Sequence, residues 1–110
     1  MAELPEFSRR AAKLLSEAEC QDIIFFLSHS PKNGVLIEGC GGIRKLRWRR
    51  GNKGKSGGLR VVYYFYNDRM PLYLITLFAK GDRANLTQTE RNDLRELVDE
   101  LIMSSIRKLN

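Results

Sequence analysis

Several residue types that enzymes rely on are scarce in this chain. There is one histidine, His29, in 110 residues, and the two cysteines, Cys20 and Cys40, fall in no paired metal or redox spacing. No HExxH and no CxxC occurs, so the common zinc and dithiol sites are excluded. His29 lies just before Pro31 at the end of a helical stretch, where a capping or surface role is the simplest reading and no Ser/His/Asp or Cys/His set can be completed. Long hydrophobic runs are missing too. The longest, Val61–Tyr66, is far short of the roughly 20 apolar residues a membrane-spanning helix needs. The opening Met-Ala-Glu-Leu-Pro lacks the basic-then-apolar order of a secretory signal. Together these absences predict a reduced, cytoplasmic protein with no membrane partner.

The most informative absence is of negative charge. The chain carries 19 Lys and Arg against 13 Asp and Glu, for a net charge of +6. From Gly39 to Asn67 there is no acidic residue, while Arg44, Lys45, Arg47, Arg49, Arg50, Lys53, Lys55 and Arg60 all fall there. Outside this segment acids outnumber bases, so the whole excess comes from one central stretch. A solubilising surface mixes both signs. An unmixed positive stretch predicts a polyanionic partner.

Periodicity organises the rest. Pro5 suits a first helical turn, and Phe7, Ala11, Leu14 and Leu15 recur at helical spacing. Ser16 with Glu19 is a capping-box pattern that starts a second helix, with Cys20, Ile23, Ile24 and Leu27 on one face. Asn33-Gly34 reads as a turn. Three strands follow, at Ile43–Arg49, Leu59–Tyr66 and Leu72–Phe78, the middle one dense in β-branched and aromatic residues. Short connections predict an antiparallel meander. Thr87 with Glu90 begins a last helix, whose packing face is predicted to run Leu94, Leu97, Val98, Leu101, Ile102, Ser105, Ile106. The order predicts one α+β domain over residues 1–110.

Alternation in the strands sorts the charges. Lys45, Arg47 and Arg49 fall on one face of the first strand, with Leu46 and Trp48 on the other. Arg60, Val62, Tyr64 and Tyr66 share a face of the next strand, so register can gather Lys45, Arg47 and Arg60, with Tyr64 near for base stacking. Between these strands, Gly54-Lys55-Ser56 matches the end of a phosphate-binding loop, but Arg49 stands at the first-glycine position and a strand follows where a helix belongs. Nucleoside triphosphate binding is therefore rejected, and Lys53 and Lys55 are read as backbone contacts to RNA. A lysine among other cations loses its proton more readily, arginines stabilise a phosphorane-like charge, and RNA supplies its own 2′-OH nucleophile. A ribonuclease without metal or histidine is thus chemically feasible.

Gly39-Cys40-Gly41-Gly42-Ile43-Arg44-Lys45-Leu46-Arg47, the Gly51–Lys55 loop, Gly57-Gly58-Leu59-Arg60-Val61-Val62-Tyr63-Tyr64-Phe65 and Tyr73–Lys80 resemble the RelE/ParE toxin superfamily, closest to its HigB-like branch. The resemblance implies a RelE-like α+β fold: two N-terminal helices on a twisted antiparallel sheet of three to four strands, plus a C-terminal helix. It also implies a first strand, for which Met1–Leu4 offers only a stub. The implied function is that of a toxin in a type II toxin-antitoxin system, a metal-independent endoribonuclease that cuts mRNA on the ribosome and needs no cofactor. The implied partners are a cognate antitoxin, acidic or partly disordered, the ribosome and its mRNA, and operator DNA only through the antitoxin. By position, Lys45, Arg47, Arg60 and Lys80 match catalytic basic residues, while Arg49, Arg50, Lys53, Lys55 and Tyr64 are the expected RNA contacts. Phe78 lacks a hydroxyl, and Gly81 and Thr87 replace an arginine and a tyrosine of RelE, so the general acid and base stay open. A ParE-like inhibitor of DNA gyrase and a decayed toxin kept as an antitoxin-binding co-repressor remain alternatives.

Overall fold

The computed structural model describes residues 1–49, 58–79 and 86–109, the side chains of the last two excepted. In chain order the elements are β1 (Ala2–Glu3), α1 (Pro5–Leu14), α2 (Glu17–His29), β2 (Val35–Leu36), β3 (Ile43–Trp48), β4 (Leu59–Tyr64), β5 (Tyr73–Ala79) and α3 (Gln88–Leu109). The strands form one mixed sheet in the order β1-β5-β4-β3-β2. The expected meander is its centre, with β3, β4 and β5 antiparallel in sequence order. Two short edge strands complete it. β1 pairs parallel with β5, which is the expected stub, and β2 pairs antiparallel with β3.

Local chemistry sets the helix starts. Pro5 opens α1, where its missing N–H costs nothing. Ser16 Oγ accepts from the Glu19 N–H at 3.1 Å while Glu19 Oε1 accepts from the Ser16 N–H at 3.0 Å, so both halves of the capping box are made. Thr87 and Glu90 repeat the exchange at α3, at 3.1 and 3.0 Å.

The sheet is buried on both faces. On one, α1 and α2 bring Phe7, Ala11, Ile23 and Leu27 against Leu46, Leu59, Val61, Tyr63, Leu74 and Leu77. On the other, α3 brings Val98, flanked by Leu94, Leu97, Leu101 and Ile102, against Ile43, Val62, Tyr64, Tyr73, Ile75 and Phe78. A bulge opposite Val62/Tyr63 turns both Ile75 and Thr76 toward the α3 face. Three expectations shift. β4 stops at Tyr64 because Asn67 Oδ1 takes the Arg69 and Met70 N–H groups at 2.9 and 3.1 Å, turning the chain out of the sheet. β5 runs one residue later at each end, Tyr73–Ala79. Ile106 is 48% exposed and not in the core, because α3 passes the sheet edge after Ser105, whose Oγ lies 3.3 Å from the Tyr73 hydroxyl.

One core position is under-satisfied. Thr76 Oγ1 is buried with no hydrogen-bond partner. Thr76→Val keeps the branched shape and removes the unpaired hydroxyl, so it should stabilise the protein by about 1 kcal/mol or more, read as a higher urea midpoint at unchanged slope.

Candidate nucleic-acid interface

Alternation along β3 gives its two faces opposite characters. Leu46 enters the helix-side core, and Trp48 packs beside it, its ring 5.8 Å from that of Phe26. Lys45, Arg47 and Arg49 therefore project from the opposite face, the one that α3 covers at the Ile43 end. The register then fixes the constellation. Arg47 lies directly opposite Arg60, and Lys45 opposite Val62, so all three cations share one face. Arg47 and Arg49 are exposed, and Lys45 and Arg60 half-buried.

Like charges directly across a ladder are destabilising, by roughly 0.2–1 kcal/mol on the scale of cross-strand pairs. The strands β3 and β4 contain no acid to relieve the Arg47–Arg60 pair. The floor around it is apolar, because Arg60 faces buried Phe78 on its other side and Val62 is fully buried. One guanidinium nitrogen of Arg60 donates to the Leu59 carbonyl at 3.3 Å, which ties the side chain back to its own strand. Guanidinium forks set on an apolar floor suit the non-bridging oxygens of a phosphate, and the low-polarity surroundings strengthen the attraction.

The other expected site residues are distributed as follows. Lys80, Arg50, Lys53 and Lys55 lie outside the described residues. Tyr64 requires a correction as a stacking platform. Its ring is 3% exposed, held in the core beneath α3, because its partner across the ladder is Ile43 at the covered end of the face. Burial pushes its phenol above the ordinary value, with Tyr66 and Asp99 adding to the effect, so it stays protonated at neutral pH. The ring open to solvent is Tyr66, 55% exposed and stacked on Tyr64 at 6.4 Å between centroids.

Two positions carry roles that the sequence did not disclose. Arg44 belongs to the acid-free stretch, yet its place between Ile43 and Lys45 turns it to the helix side. There it donates to the Gly34 and Lys32 carbonyls at 2.8 and 3.1 Å. Tyr63 completes this clamp, donating to the Pro31 carbonyl at 2.7 Å and accepting from the Gly34 N–H at 2.9 Å. Strand alternation alone separates Arg44 from the cation row. Val35 stands opposite Lys45 and is exposed on the site face. A two-residue strand gives no periodic signal that could have placed it there.

Among the described residues no group of three or more His, Cys, Asp or Glu is placed to hold a metal ion. Cys40 is fully buried, and burial pushes its thiol up, with Arg91 pulling the other way. Cys20 is also raised, first by burial and then by Glu3 and Glu17. Neither has the low-pKa environment of a nucleophile. No described helix is long and apolar enough to cross a membrane. Compared with known families, residues 32–110 match the one described as the RelE toxin of the RelE/RelB toxin-antitoxin system.

Proposed function

The chain belongs to the RelE toxin family, and on that premise we propose that it is a ribosome-dependent endoribonuclease that cuts messenger RNA. As a member of that family it is a toxin of a toxin-antitoxin system, with an antitoxin as partner, and toxins of this family are generally endoribonucleases. The observation that carries the finer reading is the Arg47–Arg60 pair, two cations opposed across a ladder with Lys45 on the same face. A fold gives up stability in this way where it must bind an anion.

In the proposed reaction the 2′-oxygen of one nucleotide attacks the adjacent phosphorus, and the bond to the 5′-oxygen breaks. Arg47 and Arg60 hold the non-bridging oxygens and favour the extra negative charge of the five-coordinate state. The 2′-OH proton passes to solvent. The Lys45 ammonium supplies a proton to the departing 5′-oxygen, leaving a 2′,3′-cyclic phosphate and a 5′-hydroxyl. Arg49 extends the contact along the RNA backbone, and Arg50, Lys53, Lys55 and Lys80 are proposed to do the same or to complete the site. Exposed Tyr66 takes the stacking role first expected of Tyr64. In a cell-free translation reaction, 5′ ends of a reporter transcript should appear within codons, and only while ribosomes translate. A transcript that stays whole while protein synthesis stops would overturn the reading.

A further inference from the structure

On the sheet face that carries the cation row, two strands away from Lys45, Thr76 stands in line with Val62. It is 4% exposed, and its Oγ1 has no partner. Buried hydroxyls almost always find one. Thr76 lines a cavity of about 460 Å³ between the start of α1, β5 and the first half of α3. The walls are apolar, formed by Leu4, Ile75, Leu94 and Leu97. The charged groups are all negative: Glu6 in the first turn of α1, and Glu90 and Asp93 on α3, with no Lys or Arg among the described lining residues. Glu90 also caps α3, which leaves its negative charge at the cavity.

This pattern selects its occupant. An anion would be repelled by three carboxylates. A purely apolar molecule would desolvate the carboxylates and leave Thr76 unpaired. A basic side chain from a partner protein would enter head first, carrying its charge past the carboxylates to a single hydroxyl. A free linear cation instead places its charged head among the carboxylates, its stem against the leucines and a second polar atom at the floor. We infer that this cavity binds a small linear organic cation with polar groups at both ends, of the diamine or guanidino-amine class, and that Thr76 Oγ1 bonds its inner end.

The test is a titration of the full-length protein, carrying labelled Ile, Leu and Thr methyl groups, with agmatine, butylamine and pentanoate. Agmatine should shift the Thr76, Ile75, Leu94 and Leu97 methyls saturably. Butylamine, which has one polar end, should bind about tenfold more weakly, the worth of one hydrogen bond, and pentanoate should not bind. Thr76→Val should weaken agmatine by a similar factor and leave butylamine unchanged, while Asp93→Asn with Glu6→Gln should weaken both. The proposal is overturned if agmatine moves none of these methyls up to about 10 mM, or if butylamine binds as well as agmatine. It is equally overturned if Thr76→Val leaves agmatine binding intact, or if a blocked arginine peptide binds more tightly, which would assign the cavity to a protein partner.

Discussion

Arg47→Ala combined with Arg60→Ala should lower transcript cleavage by at least about 10³-fold and relieve growth inhibition, while the protein becomes slightly more stable. The first half follows from the position of the two side chains, opposed on one face where a phosphate can take both forks. Removing one preorganised donor to a developing anion costs about 10²–10³-fold, and partners acting on one group do not add independently. The second half follows from electrostatics, since the exchange removes a like-charge pair that no acid in β3 or β4 offsets. A residue held for stability shows the opposite sign, so melting temperature and cleavage rate measured on the same variant separate the two roles. Lost cleavage together with a large loss of stability would make the pair structural. Arg47→Lys should remain strongly impaired, because an ammonium cannot present the planar fork.

Gly34→Ala is expected to be the most damaging single methyl in the described chain. Gly34 is not in a left-handed conformation, so the objection is spatial. A Cβ there would lie 2.7 Å from the Tyr63 ring and hydroxyl and 3.1 Å from the Lys45 carbonyl. Tyr63 cannot swing away, being fully buried and bonded to both Pro31 and Gly34. Overpacking of this kind costs about 1–3 kcal/mol, and loss of the buried Tyr63–Gly34 hydrogen bond adds to it. The thermal midpoint should drop by about 10 °C or more. The same methyl presses on the β3 backbone at Lys45, so cleavage by the surviving folded fraction should fall as well. Tyr63→Phe, which removes the hydroxyl but adds no bulk, should be destabilised by less and should partly rescue Gly34→Ala. A fully additive pair would show that the clamp is not the cause.

Much of this architecture is legible in residue order. The two capping boxes fix the starts of α2 and α3 because each is a local exchange of hydrogen bonds. Alternation puts Lys45 and Arg47 on one face and Leu46 and Trp48 on the other, since that depends only on the strand period. The direct opposition of Arg47 and Arg60 does not follow from alternation, because register depends on how the whole ladder closes. Tyr64 shows the limit most plainly. Strand period places its face, yet which end of that face α3 covers is a tertiary fact. Arg44 falls among the cations in sequence although alternation turns it away from them, and its use depends on where the loop at Lys32 and Gly34 lies. β2 leaves no mark in the sequence because two residues carry no period, and Val35 goes unplaced with it.

The most direct test observes the two guanidinium groups themselves. With the side-chain nitrogens of arginine labelled, the full-length protein is titrated with a short single-stranded RNA that is 2′-O-methylated and so cannot be cut. The Nε–H signals of Arg47 and Arg60 should move together and saturate with a single dissociation constant. Arg44, bonded on the far side of the sheet, should stay still. RNA that binds tightly while both Arg47 and Arg60 signals remain in place would contradict the account, and would locate the RNA-binding surface elsewhere on the molecule.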